Sequence, residues 1–175
     1  MPKGFKSELT QERLCEVLKY EPETGVFTWR MKRGRAVAGS IAGKIWTNPE
    51  SQQSKYRIIR VDGHSYKAHR LAWLAVYGVW PKLHIDHIDG NGLNNAIGNL
   101  RLATLSQNQH NRGLPKNSKS GLKGVSYFSK VQRWGAQIVV NGKHHWLGYF
   151  DEPNAAHAAY CEAAVRLHKD FARVS

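Results

Sequence analysis

The sequence predicts an α+β chain in two parts, on three observations. Runs of alternating apolar and polar residues meet at Asp62-Gly63 and Asn141-Gly142, dipeptides suited to the two-residue turns of antiparallel hairpins. Residues 83–112 order as strand, Gly/Asn-rich loop, short strand and helix, a unit too small to hold a core of its own. The last segment is Ala-rich, and its apolar residues recur at helical spacing. Together these predict an N-terminal α+β domain followed by a small three-stranded antiparallel sheet packed on one helix.

Taken in order, Thr10 can N-cap a helix reaching Tyr20, with Leu14, Val17 and Leu18 as its stripe. The turn Glu23-Thr24-Gly25 and the strand Val26–Trp29 suggest a hairpin. Residues 31–54 are Gly-rich and basic, with mixed signals and no assignment. Tyr56–Val61 and Ser65–Ala68 flank the first hairpin turn, and Leu71–Tyr77 reads as a helix stopped by Gly78 and Pro81. A strand ends at His84, Asp86 and His87, a second follows at Asn99–Leu102, and the capping box Thr104-x-x-Gln107 opens a helix to Arg112. Residues 113–121 form a Gly/Pro/Ser/Lys linker between domains spanning 1–112 and 122–175. In the second domain Gly124–Phe128, Trp134–Val140 and Lys143–Phe150 are strands. Trp134, Ala136 and Ile138 face the helix, and Gly135, Gln137 and Val139 face outwards. The helix presents Ala156, Ala159, Tyr160, Ala163 and Leu167.

Charge narrows the function class. The 175 residues carry 26 Lys+Arg against 13 Asp+Glu, a formal charge of +13. Residues 1–80 contribute +7, residues 113–175 contribute +5, and the stretch between them only +1. A pI near 10 points to a polyanion, nucleic acid before membrane. No apolar run has the length of a bilayer span and no signal-peptide core opens the chain, which leads us to expect a cytoplasmic protein. Two distant cysteines, Cys15 and Cys161, exclude a disulfide scaffold and a zinc finger; both read as small buried hydrophobes on helices.

The near-neutral stretch carries the chemistry. Asp86 offers a hard carboxylate oxygen, and Asn108, one turn into the helix, an amide oxygen that could meet it. Such donors suit Mg²⁺ or Mn²⁺ better than Zn²⁺. His87, neutral near pH 7, can take a proton from water. Asn99 can tie down the loop backbone and hold His87 in place. His69 and His84 read as structural, and Asn94 and Asn95 as turn residues. Arg101 reads equally as a phosphate contact or a surface charge, and Arg112 as a phosphate contact or part of a solvated helix face.

His87, Asn99 and Asn108, with Asp86 before them, resemble the HNH (ββα-metal) endonucleases in the His-Asn-Asn form of phage and intron-encoded homing enzymes. The loop Asp89-Gly90-Asn91, the run from Asn99 to Thr104, and the upstream Tyr66–Trp73 match as well. The resemblance covers most of residues 55–112. It implies hydrolysis of DNA phosphodiester bonds, with one ion on Asp86 and Asn108 stabilising the phosphorane and the departing oxygen, and with His87 activating water.

Residues 121–175 resemble the APETALA-two or ethylene-responsive-factor DNA-binding domain. The matching residues are Lys123-Gly-Val125, Trp134-Gly-Ala-Gln-Ile138, Trp146-Leu-Gly-Tyr-Phe150 and the Ala-rich helix. The resemblance implies a sheet that enters the major groove, with Lys123, Ser126, Arg133, Gln137, His144 and Trp146 on the DNA face. Lys123, Lys130, Arg133 and Lys143 would supply phosphate contacts. Ser126, Val139 and His144 stand where the plant domains carry arginines, so guanine readout is expected to be weak.

The resulting expectation is a Mg²⁺- or Mn²⁺-dependent endonuclease that nicks double-stranded DNA, as a monomer or a homodimer on DNA, in a bacterial host cell if phage-encoded. The alternative is a non-catalytic DNA-binding or regulatory protein that keeps the HNH segment as scaffold.

Overall fold

The computed structural model describes residues 8–49, 55–111, 114, 118–168 and 171–172. The chain forms two compact units, Met1–Leu102 and Ala103–Ser175. Arg112 and part of the expected 113–121 linker lie outside the described residues.

The first unit opens with α1 (Gln11–Val17), whose Arg13 N–H is accepted by the Thr10 hydroxyl at 3.3 Å. The helix stops three residues earlier than the stripe predicts. Leu18–Glu21 become strand β1 and pair antiparallel with β2 (Val26–Trp29), Leu18 opposite Trp29 and Tyr20 opposite Phe27. Pairing wins over helix propensity because Leu18, Phe27 and Trp29 are then all buried in one core. Full burial of a side chain such as Phe27 is worth roughly 1.5–3 kcal/mol. Cys15, expected inside, is exposed on α1, since Leu14 and Val17 take the buried face.

The unassigned segment contributes β3 (Lys44–Thr47), which joins β4 (Lys55–Val61) and β5 (His64–Lys67) in a three-stranded antiparallel sheet. Helix α2 (Ala68–Tyr77) follows directly, burying Leu71, Ala72 and Leu74. It ends at Gly78, whose φ of +73° turns its N–H back to the Leu74 carbonyl. Strands β6 (His84–His87) and β7 (Leu100–Ala103) form a hydrogen-bonded pair, with a single 3-10 turn, Ile97–Asn99, leading into β7.

The second unit begins around α3 (Leu105–His110). Its capping box is reciprocal: the Thr104 N–H donates to Gln107 Oε1 at 2.8 Å, and the Gln107 N–H donates to Thr104 Oγ1 at 3.2 Å. Strands β8 (Val125–Phe128), β9 (Arg133–Val140) and β10 (Lys143–Phe150) form an antiparallel sheet with β9 central. Helix α4 (Pro153–His168) packs its Ala156, Tyr160, Ala163 and Ala164 against Val125, Ala136 and Ile138. The buried stripe is rotated from the expected one. Leu167 is exposed and His168 is buried, because the close-packed alanines set the contact line at 156, 160, 163, 164 and 168. Among the described residues, no helix is long and apolar enough to cross a membrane.

Candidate active site

Strand alternation sends Asp86 and His87 to different sides of β6, and both sides are covered: Ile85, Asp86 and His87 are all buried, at the end of β6 where the chain enters the loop. Asp86 meets Arg101 across the β6–β7 pair, with Arg101 Nε at 2.9 Å and Nη2 at 2.8 Å from Asp86 Oδ2. Arg101, expected at a phosphate or at the surface, thus lies against the carboxylate expected to hold metal.

His87 lies in an aromatic niche. Its ring centroid is 5.0 Å from that of His69 in an edge-on arrangement and 6.2 Å from that of Tyr56, and the Lys67 ammonium sits 4.5 Å above the Tyr56 ring. Burial pushes the His87 pKa below its ordinary value. The Asn95 hydrogen bond and the charges of Asp89 and Asp86 oppose this shift, and Lys67 adds to it. His69 is pushed down to about 3, first by burial and then by His87, Lys67 and Arg70. Both rings are therefore neutral near pH 7, the state a proton acceptor requires.

The loop is built from its own side chains. Asn99 Oδ1 accepts the Asp89 N–H at 3.1 Å, while its Nδ2 donates to Asp89 Oδ1 and to the Asn94 carbonyl, each at 2.9 Å. Asn94 Nδ2 reaches Asp89 Oδ2 at 2.7 Å, and the Asn91 N–H reaches Asp89 Oδ1 at 2.8 Å. Burial alone would raise the Asp89 pKa, but the hydrogen bonds from Asn94, the Asn91 N–H and Asn99 outweigh it and hold the carboxyl below its usual range. Asn99 is also tied to the residue after His87, its carbonyl accepting the Ile88 N–H at 2.9 Å.

Asn108 sits half-buried on α3, its N–H bonded to the Thr104 carbonyl at 3.0 Å. Among the described residues, no three His, Cys, Asp or Glu cluster as a metal site; a set of one carboxylate and one amide oxygen lies outside such a cluster. Sequence reasoning passed over Asn95, which is 2% exposed and points Oδ1 at His87 Nε2 from 3.4 Å. An Asn-Asn doublet in a loop carries turn chemistry, and nothing local distinguishes the one that turns inward.

In the second unit, strand register places Ser126, Arg133, Gln137, His144 and Trp146 on the sheet face away from α4. Gly135 is the floor of this face, covered by Phe128 and Trp146, whose rings meet edge-on at 5.4 Å. Lys143 falls on the other parity at the hairpin end, and Lys123 and Lys130 lie outside the strands. Arg133 is engaged by Asp151, its Nε and Nη2 each 2.8 Å from Oδ1.

A family model described as HNH endonuclease matches residues 66–110, which span the β6–β7 pair and α3. Protein 3.8 of Escherichia phage T7 is 45% identical over 112 residues, 62% of this chain and 92% of that protein. An uncharacterized HNH endonuclease, L560, of Acanthamoeba polyphaga mimivirus is 37% identical over 106 residues, 59% of this chain and 54% of that protein. The AP2-like ethylene-responsive transcription factor TOE2 of Arabidopsis thaliana is 38% identical over 53 residues, 30% of this chain and 11% of that one. His87, Asn99 and Asn108 all fall within the matched model, and a phage relative is covered almost from end to end, so the chain belongs to the HNH endonuclease family.

Proposed function

We propose that the protein is a metal-dependent DNA endonuclease in which residues 1–112 cut and residues 122–175 grip DNA, with 113–121 as linker. The observation that carries this reading is a buried neutral imidazole, His87, beside a buried carboxylate, Asp86, on one strand end. His87 accepts the proton of the attacking water. Asn99 keeps the loop that follows it in one shape.

The residues suit a hard divalent cation. Asp86 already has a guanidinium against one oxygen, so this buried position tolerates positive charge at the carboxylate. Asp86 and Asn108 would hold Mg²⁺ or Mn²⁺ through oxygen atoms. Such an ion would stabilise the charge on the transferring phosphate and the leaving oxygen. Arg101 would turn from Asp86 to a phosphate, and Arg112 would add a second contact.

For the second unit, the matched plant segment and the one-sided register of Ser126, Arg133, Gln137, His144 and Trp146 support a double-stranded DNA face. Lys123, Lys130 and Lys143 would bind phosphates around it. One HNH site per monomer nicks one strand, and two copies on opposite strands would cut both.

Supercoiled plasmid incubated with the protein and Mg²⁺ or Mn²⁺ tests the reading. Nicked circles should form, and should vanish with EDTA or with His87→Ala. Intact DNA binding without nicking in any divalent metal would leave a DNA-binding protein on an HNH scaffold.

A further inference from the structure

A histidine that accepts a proton must present the lone pair of one particular ring nitrogen, and the structure carries the group that chooses it. The Asn95 side chain is buried, and its Nδ2 donates to the Leu93 carbonyl at 3.0 Å. That bond fixes the amide: turned over, Oδ1 would face the Leu93 carbonyl oxygen, acceptor against acceptor. With Nδ2 so committed, Oδ1 is the atom 3.4 Å from His87 Nε2. An amide oxygen has no proton to give, so Nε2 must be the donor. A neutral imidazole has a single N–H, which leaves the lone pair on Nδ1.

We infer that Asn95 is a positioning residue that holds His87 as its Nε2–H tautomer, so that Nδ1 is the atom that takes the proton from water. The contact is long for a hydrogen bond, as orienting contacts often are before substrate tightens a site. This inference deepens the nuclease reading and rests on it for its catalytic consequence, but the tautomer itself does not depend on it.

The inference also gives the first hairpin a role that no motif in it announced. Tyr20 Oη donates to the Asn95 carbonyl at 2.8 Å, and the Ile97 N–H donates to the Pro22 carbonyl at 2.9 Å. Between these two anchors, Gly25 lies so close that a Cβ there would stand 2.1 Å from the Asn95 carbonyl carbon, and its φ of +72° also favours glycine. The β1–β2 hairpin therefore grips the backbone from the Asn95 carbonyl to Ile97, and a shift of that backbone would carry Oδ1 away from His87. The edge-on His69 ring lies against His87 as well, 5.0 Å between centroids.

The test reads the ring nitrogens directly. Long-range ¹H–¹⁵N correlation spectra of the ¹⁵N-labelled full-length protein, at a pH where His87 is neutral, should show a protonated Nε2 and an unprotonated Nδ1. Asn95→Asp keeps an acceptor and should keep that pattern. Asn95→Leu should give mixed tautomers and a kcat for plasmid nicking lowered roughly 10- to 100-fold, the scale of lost orienting groups, with KM for DNA unchanged. Tyr20→Phe should shift both readouts in the same direction by less. A wild-type ring protonated on Nδ1, or an Asn95→Leu protein with the wild-type pattern, overturns the inference. Should Asn95→Leu fail to fold, the wild-type and Asn95→Asp spectra decide it. The inferred tautomer in a protein that fails to nick DNA in every divalent metal tried would sink the nuclease reading and leave the hold of Asn95 on the ring standing.

Discussion

Two nitrogens of Arg101 converge on a single oxygen of Asp86, Nε at 2.9 Å and Nη2 at 2.8 Å, and the carboxylate they hold is almost sealed from solvent. The pair joins neighbouring strands, so it ties β6 to β7 at the point where both feed the loop that holds Asp89 and Asn95. Breaking a buried pair from one side costs on the order of 3–5 kcal/mol, because the remaining charge is left in a poor solvent. A divalent ion at the same carboxylate would make good much of that loss.

Arg101→Ala should therefore lower the thermal midpoint markedly in EDTA, and Mn²⁺ should restore it by more than it raises the wild-type midpoint. Arg101→Lys should fall between, since an ammonium cannot place two donors on one oxygen in the same plane. Equal metal-induced shifts in wild type and Arg101→Ala would show that Asp86 does not receive the ion.

His69 makes stability sensitive to acid. Unfolded, its ring titrates near 6.5; folded, near 3, because burial disfavours the charged form. Between those values the unfolded chain binds more protons, so stability falls as pH falls, by at most about 1.4 kcal/mol per pH unit. The contribution is whole above 6.5 and gone by about 3. Urea midpoints at pH 7 and pH 4.5 should differ less in His69→Phe than in wild type. The pKa of His87 is lowered in the same direction, so nicking should rise with pH through a midpoint below 6.5 and then level off. An activity midpoint above 6.5 would contradict a buried, neutral base.

Asn99 is the keystone of the loop, with bonds to the Asp89 N–H, the Asp89 carboxylate and the Asn94 carbonyl. Asn99→Ala should speed hydrogen exchange at Asp89 and Asn91 while leaving the amides of α2 protected, because the lost bonds are confined to residues 89–99. The stability cost should be modest, about 1–2 kcal/mol, since the site is open to water on one side. Unchanged exchange at Asp89 would mean that backbone turns alone hold the loop.

How much of this was legible in the sequence depended on whether the deciding force was local. The Thr104–Gln107 capping box, both hairpin turns and the Gly78 stop are set by residues a few positions apart, and they stand where the spacing put them. The end of α1 was not legible, because Leu18 and Tyr20 obey partners ten residues downstream. At the site, Asp86, His87, Asn99 and Asn108 stood out by residue type and spacing alone. The side chains that touch them did not: that Arg101 faces Asp86, or that Asn95 turns inward to His87, follows from packing across the β6–β7 pair and from the hairpin behind Asn95. Likewise His168 replaced Leu167 on the buried stripe because alanines let α4 rotate close to its sheet, a choice that periodicity alone leaves open.

The outer face of the second sheet should stand or fall with Gly135. A Cβ there would meet Trp146 Cη2 at 2.3 Å and Phe128 Cε2 at 2.5 Å, distances no packed side chain tolerates. Both rings would have to lift, and Tyr149, edge-on to Trp146 at 4.8 Å, would move with them. The opposite face, where Ala136 and Ile138 meet α4, is not touched by the added atoms, so the unit should keep its fold. Gly135→Val should therefore weaken binding of the full-length protein to duplex DNA by tenfold or more, on the order of the 1–3 kcal/mol that a stacked or groove-seated aromatic contributes. The salt dependence of binding should change little, because the phosphate contacts expected from Lys123, Lys130 and Lys143 stay in place. Nicking at saturating protein should survive as well, since Asp86, His87 and Asn99 lie in the other unit and Asn108 lies on α3, outside the sheet that carries Gly135. A Gly135→Val protein with wild-type affinity and an unchanged circular dichroism spectrum would show that DNA is held by some other surface.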